Sequence, residues 1–413
     1  MSKVKDVKLA DEGLKQIEWA EMQMGGLLSI RSRFSKEKPL KGAKIGMALH
    51  VTKETAVLVR TLVAGGASVS IAGCNPLSTQ DDVAAALVSE GVEVFAWRNQ
   101  TVEEYYENLN KVLDTKPQVT IDDGCDLVNL IHTKRKDLLN GIAGGTEETT
   151  TGVNRLRAME NDKALKYPVI AVNDSNTKHL MDNYIGTGQS SIDGILRATS
   201  ILIAGKNFVV VGYGPCGKGV ALRAKGMGAN VIVTEVDAFK ALQAVMDGYR
   251  VMKLTDAAAI GDVFITVTGD KHVISGKHME KMKSGAILAN AGHFDLEIDV
   301  KWLETSAKKK RIRPDLEEYQ LNNNRKIYLC SMGRLVNLAA AEGHPSDIMS
   351  MSFMNQSLAV EYIMKNKLEP KVYVLPANID DLVAKLQLQS MGVTIDELTE
   401  EQKKYMAGWE EGT

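Results

Sequence analysis

Residues 208–237 read "FVVVGYGPCGKGVALRAKGMGANVIVTEVD" and decide the fold. A β-branched run, Val209 to Val211, leads directly into Gly212, Gly214 and Gly217, and a helix-forming stretch follows at once. In this G-x-G-x-x-G spacing, Gly212 permits a tight turn and Gly214 lets the backbone approach a pyrophosphate. Gly217 allows close helix packing, and phosphate charge falls at the helix N-terminus. Pro215, Cys216, Lys218 and Gly219 lie in the same turn and are placed with the cofactor-binding residues. The next strand ends in Glu235, about 20 residues on, where a carboxylate accepts from ribose hydroxyls and repels a 2′-phosphate. NAD is therefore favoured over NADP. A structural glycine turn beside an exposed acid is the bland alternative, and strand, turn, helix and acid in register argue against it.

This turn starts half-way along a chain of 413 residues, which is long enough for two domains with separate cores. Upstream, from Gly42, short apolar runs alternate with helical patterns: "KIGMAL", "KETAVLVRTLVAGG", "SVSIAG", "TQDDVAAALVSEG", "VEVFAW", then "QVTID", "GIAGG" and "PVIAV". That is the signature of a parallel, doubly wound α/β sheet. A second unit starts near Ser190, where "SSIDGILRATSILIAGK" reads as a helix feeding "FVVVGYG" and the pattern continues through "NVIVTEVD", "VFITVTG" and "AILANAG". The expected fold class is thus α/β, two Rossmann-like domains plus a short helical C-terminal segment. The Met-rich stretch after "GRLVNLAAAEGHPSDIMSMSF" reads as helical packing, and "GVTIDELTEEQKKYMAGWEEGT" as a capped acidic helix.

Composition narrows the partners. A net charge of −2 exerts no long-range pull on polyanions, so nucleic acid is not expected. No apolar run approaches a bilayer span and the start lacks a hydrophobic signal region, so no membrane is expected and a cytoplasmic location is. Cys74, Cys125, Cys216 and Cys330 are scattered, without a C-x-x-C pair or clustered histidines, and no disulfide framework or metal site is suggested.

In open α/β sheets ligands bind beyond the carboxyl ends of the strands. His50, Asn75, Asp123, Glu148 and the pair Asn173 and Asp174 follow five such strands and are expected to converge on one edge. The alternative is helix capping, for which Thr79, Asp123, Thr149 and Asp174 have the right chemistry. Five polar strand ends together weaken that alternative, so the first half is expected to be the substrate side and the second the cofactor side.

The strings "HVTKETAVL", "NPLSTQDD", "IDDGCDLVNLIHTK", "TEETTTGV", "VNDSNTKHLMDNYIGTGQSSIDGI", "GYGPCGKG", "NAGHFDLEIDVKWL" and "GRLVNLAAAEGHPSDIMSMSFMNQ" together resemble S-adenosyl-L-homocysteine hydrolases, from about residue 10 onward. The resemblance implies one tightly held NAD per subunit, which oxidises the substrate's ribose 3′-hydroxyl and then returns the hydride, and a homotetramer. It implies Lys178 and Asp182 flanking that hydroxyl, Lys178 as proton acceptor with a pKa lowered by burial and cationic surroundings, and Glu148 holding the ribose. His50, Asp123 and His293 would manage the leaving thiol and incoming water. Thr149, Thr150, Thr151 and Asn183 would touch the cofactor, joined by Lys240, Thr268, Ala291, Gly292 and Asn337. Thr52, Glu54, Glu342, His344 and Met349 would line the substrate, with Glu54 and His344 at the purine edge. The implied division is residues 1–184 with 346–385 for substrate, 190–343 for NAD, and 386–413 for oligomerisation, with domain closure about hinges at 184–190 and 343–349.

Several positions differ from the usual pattern. Thr187 stands where many members carry cysteine, Lys240 where asparagine is common, and Cys125 where glycine is common. Glu342 replaces a methionine and either points to solvent, as acidic residues usually do, or offers a second carboxylate to the base, in which case S-inosyl-L-homocysteine becomes a candidate substrate beside the adenosyl form. The chain stops at "AGWEEGT", without the Lys- and Tyr-bearing tail that in many members closes over a neighbour's cofactor. Two rivals are an NAD-dependent dehydrogenase of the 2-hydroxyacid kind and a catalytically silent NAD-sensing relative. The presence of Lys178, Asp182 and His293 argues against the second.

Overall fold

A computed structural model describes residues 2–412; the outermost residues of the expected ranges, Met1 and Thr413, lie outside them. The apolar runs of the first half become β1 (Lys3–Val4), β2 (Lys44–Ala48), β3 (Ser68–Ala72), β4 (Glu93–Ala96), β5 (Val119–Asp122), β6 (Gly144–Glu147) and β7 (Val169–Ala171). They lie in the order β1-β4-β3-β2-β5-β6-β7, completed by β16 (Val372–Tyr373), and every pairing is parallel. Burial on both faces explains why these strands read as continuous apolar runs.

The second sheet contains β8 (Asn207–Val211), β9 (Asn230–Thr234), β10 (Arg250–Val251), β11 (Val263–Thr266) and β12 (Ala286–Asn290), followed by β13 (Ala307–Arg313), β14 (Leu316–Leu321) and β15 (Lys326–Cys330). Its order is β10-β9-β8-β11-β12-β15-β14-β13. The β8 to β12 pairings are parallel as expected, but β13–β14 and β14–β15 are antiparallel and were not anticipated. The reason is local: β13 is the edge strand AKKKRIR, almost wholly exposed, and carries no apolar run to announce it. A second correction concerns "SSIDGILRATSILIAGK". The helix Thr187–Thr199 stops there because Ser200 adopts a left-handed φ of 57°, and a loop leads into β8.

The helix Ser346–Lys365 returns from the second sheet to the first. Phe353, Met354, Leu358 and Val360 pack into the core that holds Ile45, Met47 and Val57, so the methionine-rich stretch is packing, as expected. The same helix buries Ser350, Ser352, Asn355, Gln356 and Ser357, and those polar side chains prove to matter more than the methionines. Among the described residues no helix is long and apolar enough to cross a membrane. The C-terminal helix Glu400–Ala407 carries the expected capping box, Thr399 with Gln402.

Candidate active site

The carboxyl ends of both sheets face one cleft of about 1290 Å³, larger than most single-ligand pockets and roomy enough for a dinucleotide beside a second molecule. On the second sheet the fingerprint turn behaves as its glycines require. Gly212 has a left-handed φ of 106°, and a Cβ on Gly217 would collide with the Gly212 carbonyl. A Cβ on Gly214 would meet nothing within 4 Å, leaving the approach over the N-terminus of the helix Pro215–Gly226 open. Glu235 is fixed by backbone donors: its Oε2 accepts from Tyr213 N at 2.7 Å and its Oε1 from Val236 N at 2.7 Å and Asp237 N at 3.1 Å. These features fit a dinucleotide, with Gly212, Gly214, Pro215, Cys216, Glu235, Lys240, Thr268, Ala291, Gly292 and Asn337 on the cleft wall. Thr149, Thr150, Thr151 and Asn183 line it from the first sheet.

Three residues assigned to the cofactor do not line it. Gly217 packs under the turn, and a Cβ on Gly219 would collide with the Tyr184 carbonyl, so both glycines serve close packing. Lys218 donates to Gln243 Oε1 at 3.1 Å. The loop carrying Thr268 is held by buried Glu297, which accepts from Thr268 N at 2.9 Å, Thr268 Oγ1 at 2.6 Å and Gly269 N at 2.8 Å. Nothing in the local sequence pointed to Glu297.

On the first sheet His50, Asp123 and Glu148 line the cleft, as expected, but Asn75 and Asp174 do not. The Asn75 Oδ1 accepts from Leu77 N at 2.9 Å, and Asp174 pairs with Arg157 at 2.7 Å. Asn173 lies one layer back, where its Oδ1 accepts from Asn183 Nδ2 at 2.9 Å and Lys178 Nζ at 3.4 Å. The capping alternative fails too. Thr149 makes no side-chain cap bond, the Thr79 hydroxyl has no partner, and the helix Asp126–Thr133 starts from Cys125. Asp122 takes the part that Asp123 was a candidate for: its Oδ2 accepts from Val128 N at 3.0 Å. Neighbouring residues at a strand end point to opposite sides, so Asp122 is buried beneath the loop while Asp123 reaches the cleft. Cys125, with φ 67°, occupies a conformation that suits glycine, at a cost of about 1 kcal/mol.

The densest charge surrounds Lys178. Its Nζ is 3.0 Å from Asp182 Oδ1, 3.7 Å from Glu148 Oε1 and 2.7 Å from Asn183 Oδ1, and all four residues are buried. Burial alone would lower the lysine's pKa, but Asp182 and Glu148 outweigh it and raise it. The expected lowering by cationic surroundings is therefore corrected: the surroundings are anionic. Burial opposes ionisation of Asp182 as well, yet Lys178 and His344 hold its pKa well below the ordinary range. Burial pushes Glu148 up to about 7, against the attraction of Lys178. Its oxygens accept from Gln356 Nε2 and, in a very short contact, from the Ser352 hydroxyl. Both donors come from the Met-rich helix, and polar residues inside an otherwise apolar helical run were the available signal.

A second cluster centres on Asp123. His50 Nε2 is 3.4 Å from its Oδ2, His293 Nδ1 is 3.4 Å from its Oδ1, and Cys74 Sγ is 3.6 Å from Oδ2. Burial lowers the His50 pKa to about 4, outweighing the attraction of Asp123, so its imidazole is neutral.

The residues assigned to substrate, Thr52, Glu54, Glu342, His344 and Met349, all border the cleft. Glu54 is buried and its Oε1 accepts from Ser346 Oγ at 2.8 Å. Glu342 is exposed and its carboxylate is engaged, 2.8 Å from Lys53 Nζ and 3.5 Å from Arg197 Nη1. The candidate second acceptor for the base is thus spent on two cations. His344 joins the two chain crossings, its Nδ1 3.3 Å from Asp182 Oδ2 and its Nε2 3.3 Å from Thr187 Oγ1.

Residues 1–138 match the model described as S-adenosyl-L-homocysteine hydrolase, and residues 183–343 match that of its NAD binding domain. S-inosyl-L-homocysteine hydrolase of Methanocaldococcus jannaschii is 62% identical over 100% of both chains. Adenosylhomocysteinase of Saccharolobus solfataricus is 60% identical over 100% of this chain and 99% of its own. With the dinucleotide turn and the Lys178 and Asp123 clusters facing one cleft, these matches show that the chain belongs to the S-adenosyl-L-homocysteine hydrolase family.

Proposed function

We propose that the chain hydrolyses the thioether joining the 5′ carbon of a purine nucleoside to homocysteine, with NAD as resident cofactor. The observation that carries this reading is the single cleft, which sets a dinucleotide turn opposite a buried lysine–carboxylate cluster and an aspartate between two imidazoles. A thioether is a poor leaving group in direct hydrolysis. A 3′-ketone acidifies the neighbouring 4′ C–H, so thiolate can be eliminated and water added to the enone. When bound, NAD accepts the hydride that creates the ketone and gives it back afterwards, so there is no net redox change.

Lys178 and Asp182 flank the 3′-hydroxyl. In the resting cleft the lysine is an ammonium, so it passes a proton on before accepting one. Glu148, 3.7 Å away and titrating near 7, is the acceptor within reach. Neutral His50, with Asp123 and His293, surrounds the departing thiol and the entering water. Closure about the crossings at 184–190 and 343–349 keeps bulk water from the enone. The contacts of His344 with Asp182 and Thr187 support a link between those hinges.

Glu54 is the base-reading group. An ionised carboxylate only accepts, so it meets the amino group of adenine or the ring N–H of hypoxanthine, and the names of the two relatives cover both substrates. We further propose the division into residues 1–184 with 346–385, 190–343 and 386–413, and a cytoplasmic homotetramer. Apolar residues left exposed at the C-terminal end, among them Ile395, Leu398, Met406 and Trp409, support an intersubunit contact there. The four cysteines are free, as in a reducing compartment.

The test is release of free thiol from the adenosyl and inosyl thioethers by the purified protein, with reduced cofactor followed at the same time. Thiol in many-fold excess over enzyme with no net NADH supports the reading. NADH accumulating in step with product supports a dehydrogenase. The ratio of kcat/KM for the two thioethers identifies the base.

A further inference from the structure

We propose that Asp380, on the helix Ala377–Ser390, is a positioning residue for the reaction: from 204 residues away it caps the turn that carries Lys178, and so fixes where the ammonium meets the substrate's 3′-hydroxyl. The part played in catalysis rests on the function proposed above; the capping contacts do not.

Lys178 sits in a helix of only four residues, Asn176–His179. So short a helix does not hold itself in water, because nucleation fixes several residues for each bond gained. Two main-chain bonds close it, from His179 N to Ser175 O at 2.7 Å and from Leu180 N to Asn176 O at 3.0 Å. The local N-cap, Ser175, makes no cap bond, and its buried hydroxyl has no partner among the described residues. The first amides go to one remote carboxylate instead: Asn176 N donates to Asp380 Oδ2 at 2.7 Å and Thr177 N to Asp380 Oδ1 at 3.0 Å. The Thr177 hydroxyl donates to the same Oδ1 in a very short contact. Asp380 is buried, and its negative charge lies at the end of the turn where unpaired amides favour an anion.

The neighbouring helix ties this cap to the chemistry. On Ser346–Lys365, Ser352, Asn355 and Gln356 are three and four residues apart and share one face. Ser352 and Gln356 hold Glu148, whereas Asn355 Nδ2 donates to Thr177 Oγ1 at 2.8 Å. The Thr177 hydroxyl thus accepts from Asn355 while it donates to Asp380. One helix face therefore fixes Glu148 on one side and the Lys178 turn on the other, and Asp380 completes the grip on the turn. Lys178 Nζ stands 3.0 Å from Asp182 and 3.7 Å from Glu148, so a turn that moves by an ångström changes both distances. Misplacement of that size costs about a hundredfold in rate. In Asp380→Asn the side-chain NH₂ faces one of the two main-chain donors, which leaves that amide unpaired and frees the turn to shift.

The test follows NADH absorbance when adenosine is added to the NAD-loaded protein. In Asp380→Asn the rate of oxidation should fall about tenfold to a hundredfold, while the half-saturating adenosine concentration stays within about twofold, since an interaction that matters in the transition state is lost rather than uniform binding. Thr177→Val should slow oxidation in the same direction, and carries the test should Asp380→Asn fail to fold. Asp381→Asn, an exposed neighbour paired with Lys385 at 2.6 Å, should leave the rate unchanged. A positioning residue acts only through the group it positions, so adding Asp380→Asn to Lys178→Ala should leave the residual rate where it was. A merely structural role would slow both backgrounds alike. Hydrogen exchange at the amides of Asn176 and Thr177 should quicken in Asp380→Asn while β2 and β5 keep their protection, a readout that needs no activity. Wild-type oxidation in both Asp380→Asn and Thr177→Val, an equal loss in the Lys178→Ala background, or unchanged exchange at those amides would each overturn the inference. A wild type that forms no NADH with adenosine would overturn the proposed function as well, whereas an active wild type with an equally active Asp380→Asn overturns this inference alone.

Discussion

The two sheets present their ends to the same cleft but offer it different kinds of group. The second uses backbone: the positive φ of Gly212, the bare Gly214, the N-terminus of the helix at Pro215, and a Glu235 held by three main-chain amides. The first uses side chains gathered from distant segments, Lys178 with Asp182 and Glu148, and Asp123 with His50 and His293. Backbone recognition tolerates loss of one contact because the others remain. Buried charge clusters do not, because removing one member leaves its partners uncompensated. The same substitution type should therefore have unequal effects on the two sides.

The largest effect is expected at Lys178. Lys178→Ala should abolish the oxidation half-reaction, by about 10²–10⁴-fold if the lysine serves as the acid–base group, while NAD stays bound. The measurement is bound-cofactor absorbance after adding adenosine. NADH appearing at the wild-type rate would remove Lys178 from the mechanism. Glu235→Ala on the other sheet should weaken NAD by about 10–100-fold, the size of a hydrogen bond to a charged group, and narrow the preference over NADP. Cofactor affinity measured by calorimetry decides this, and unchanged selectivity would assign it elsewhere, with Lys240 the first candidate.

How much of this was readable follows the same division. The fingerprint's roles for Gly212, Gly214 and Gly217 could be read because a local turn dictates them. The parallel strands, such as "KIGMAL" becoming Lys44–Ala48, could be read because burial on both faces makes them apolar. The β13–β15 antiparallel meander could not, since its charged edge strand has no apolar signature. On the first sheet, strand-end reasoning found His50, Asp123 and Glu148 but also proposed Asn75 and Asp174, because the side to which a strand-end residue turns depends on the loop that follows. Cys74, Ser352, Gln356 and Glu297 escaped notice, since each acts on a residue remote in sequence.

A smaller effect tests the buried charge directly. Burial raises the Glu148 pKa from 4.5 to about 7. The folded protein then holds that proton more tightly than the unfolded chain does. The resulting stabilisation is full below pH 4.5 and is lost as pH rises through 7. Glu148→Gln removes this dependence, so its melting temperature relative to the wild type should climb between pH 4.5 and 7 and level off above. Parallel curves would mean that Glu148 does not carry the proton. The smallest effect is expected at Glu342, already paired with Lys53 and Arg197. Glu342→Met should leave the ratio of kcat/KM for adenosyl and inosyl thioethers within about twofold, the spread of a surface substitution of roughly 0.5 kcal/mol. A larger change would return that carboxylate to the base.

In the proposed mechanism, side chains of the first sheet and a cofactor held by the second act in turn on one ribose, through loss and regain of the 4′ hydrogen. Turnover in heavy water tests this most directly, with the released nucleoside read by NMR and mass spectrometry. Elimination and re-addition predict one deuterium at the 4′ carbon and the original hydrogen retained at the 3′ carbon. A nucleoside released without deuterium at the 4′ carbon would contradict the account and favour direct displacement of the thiol.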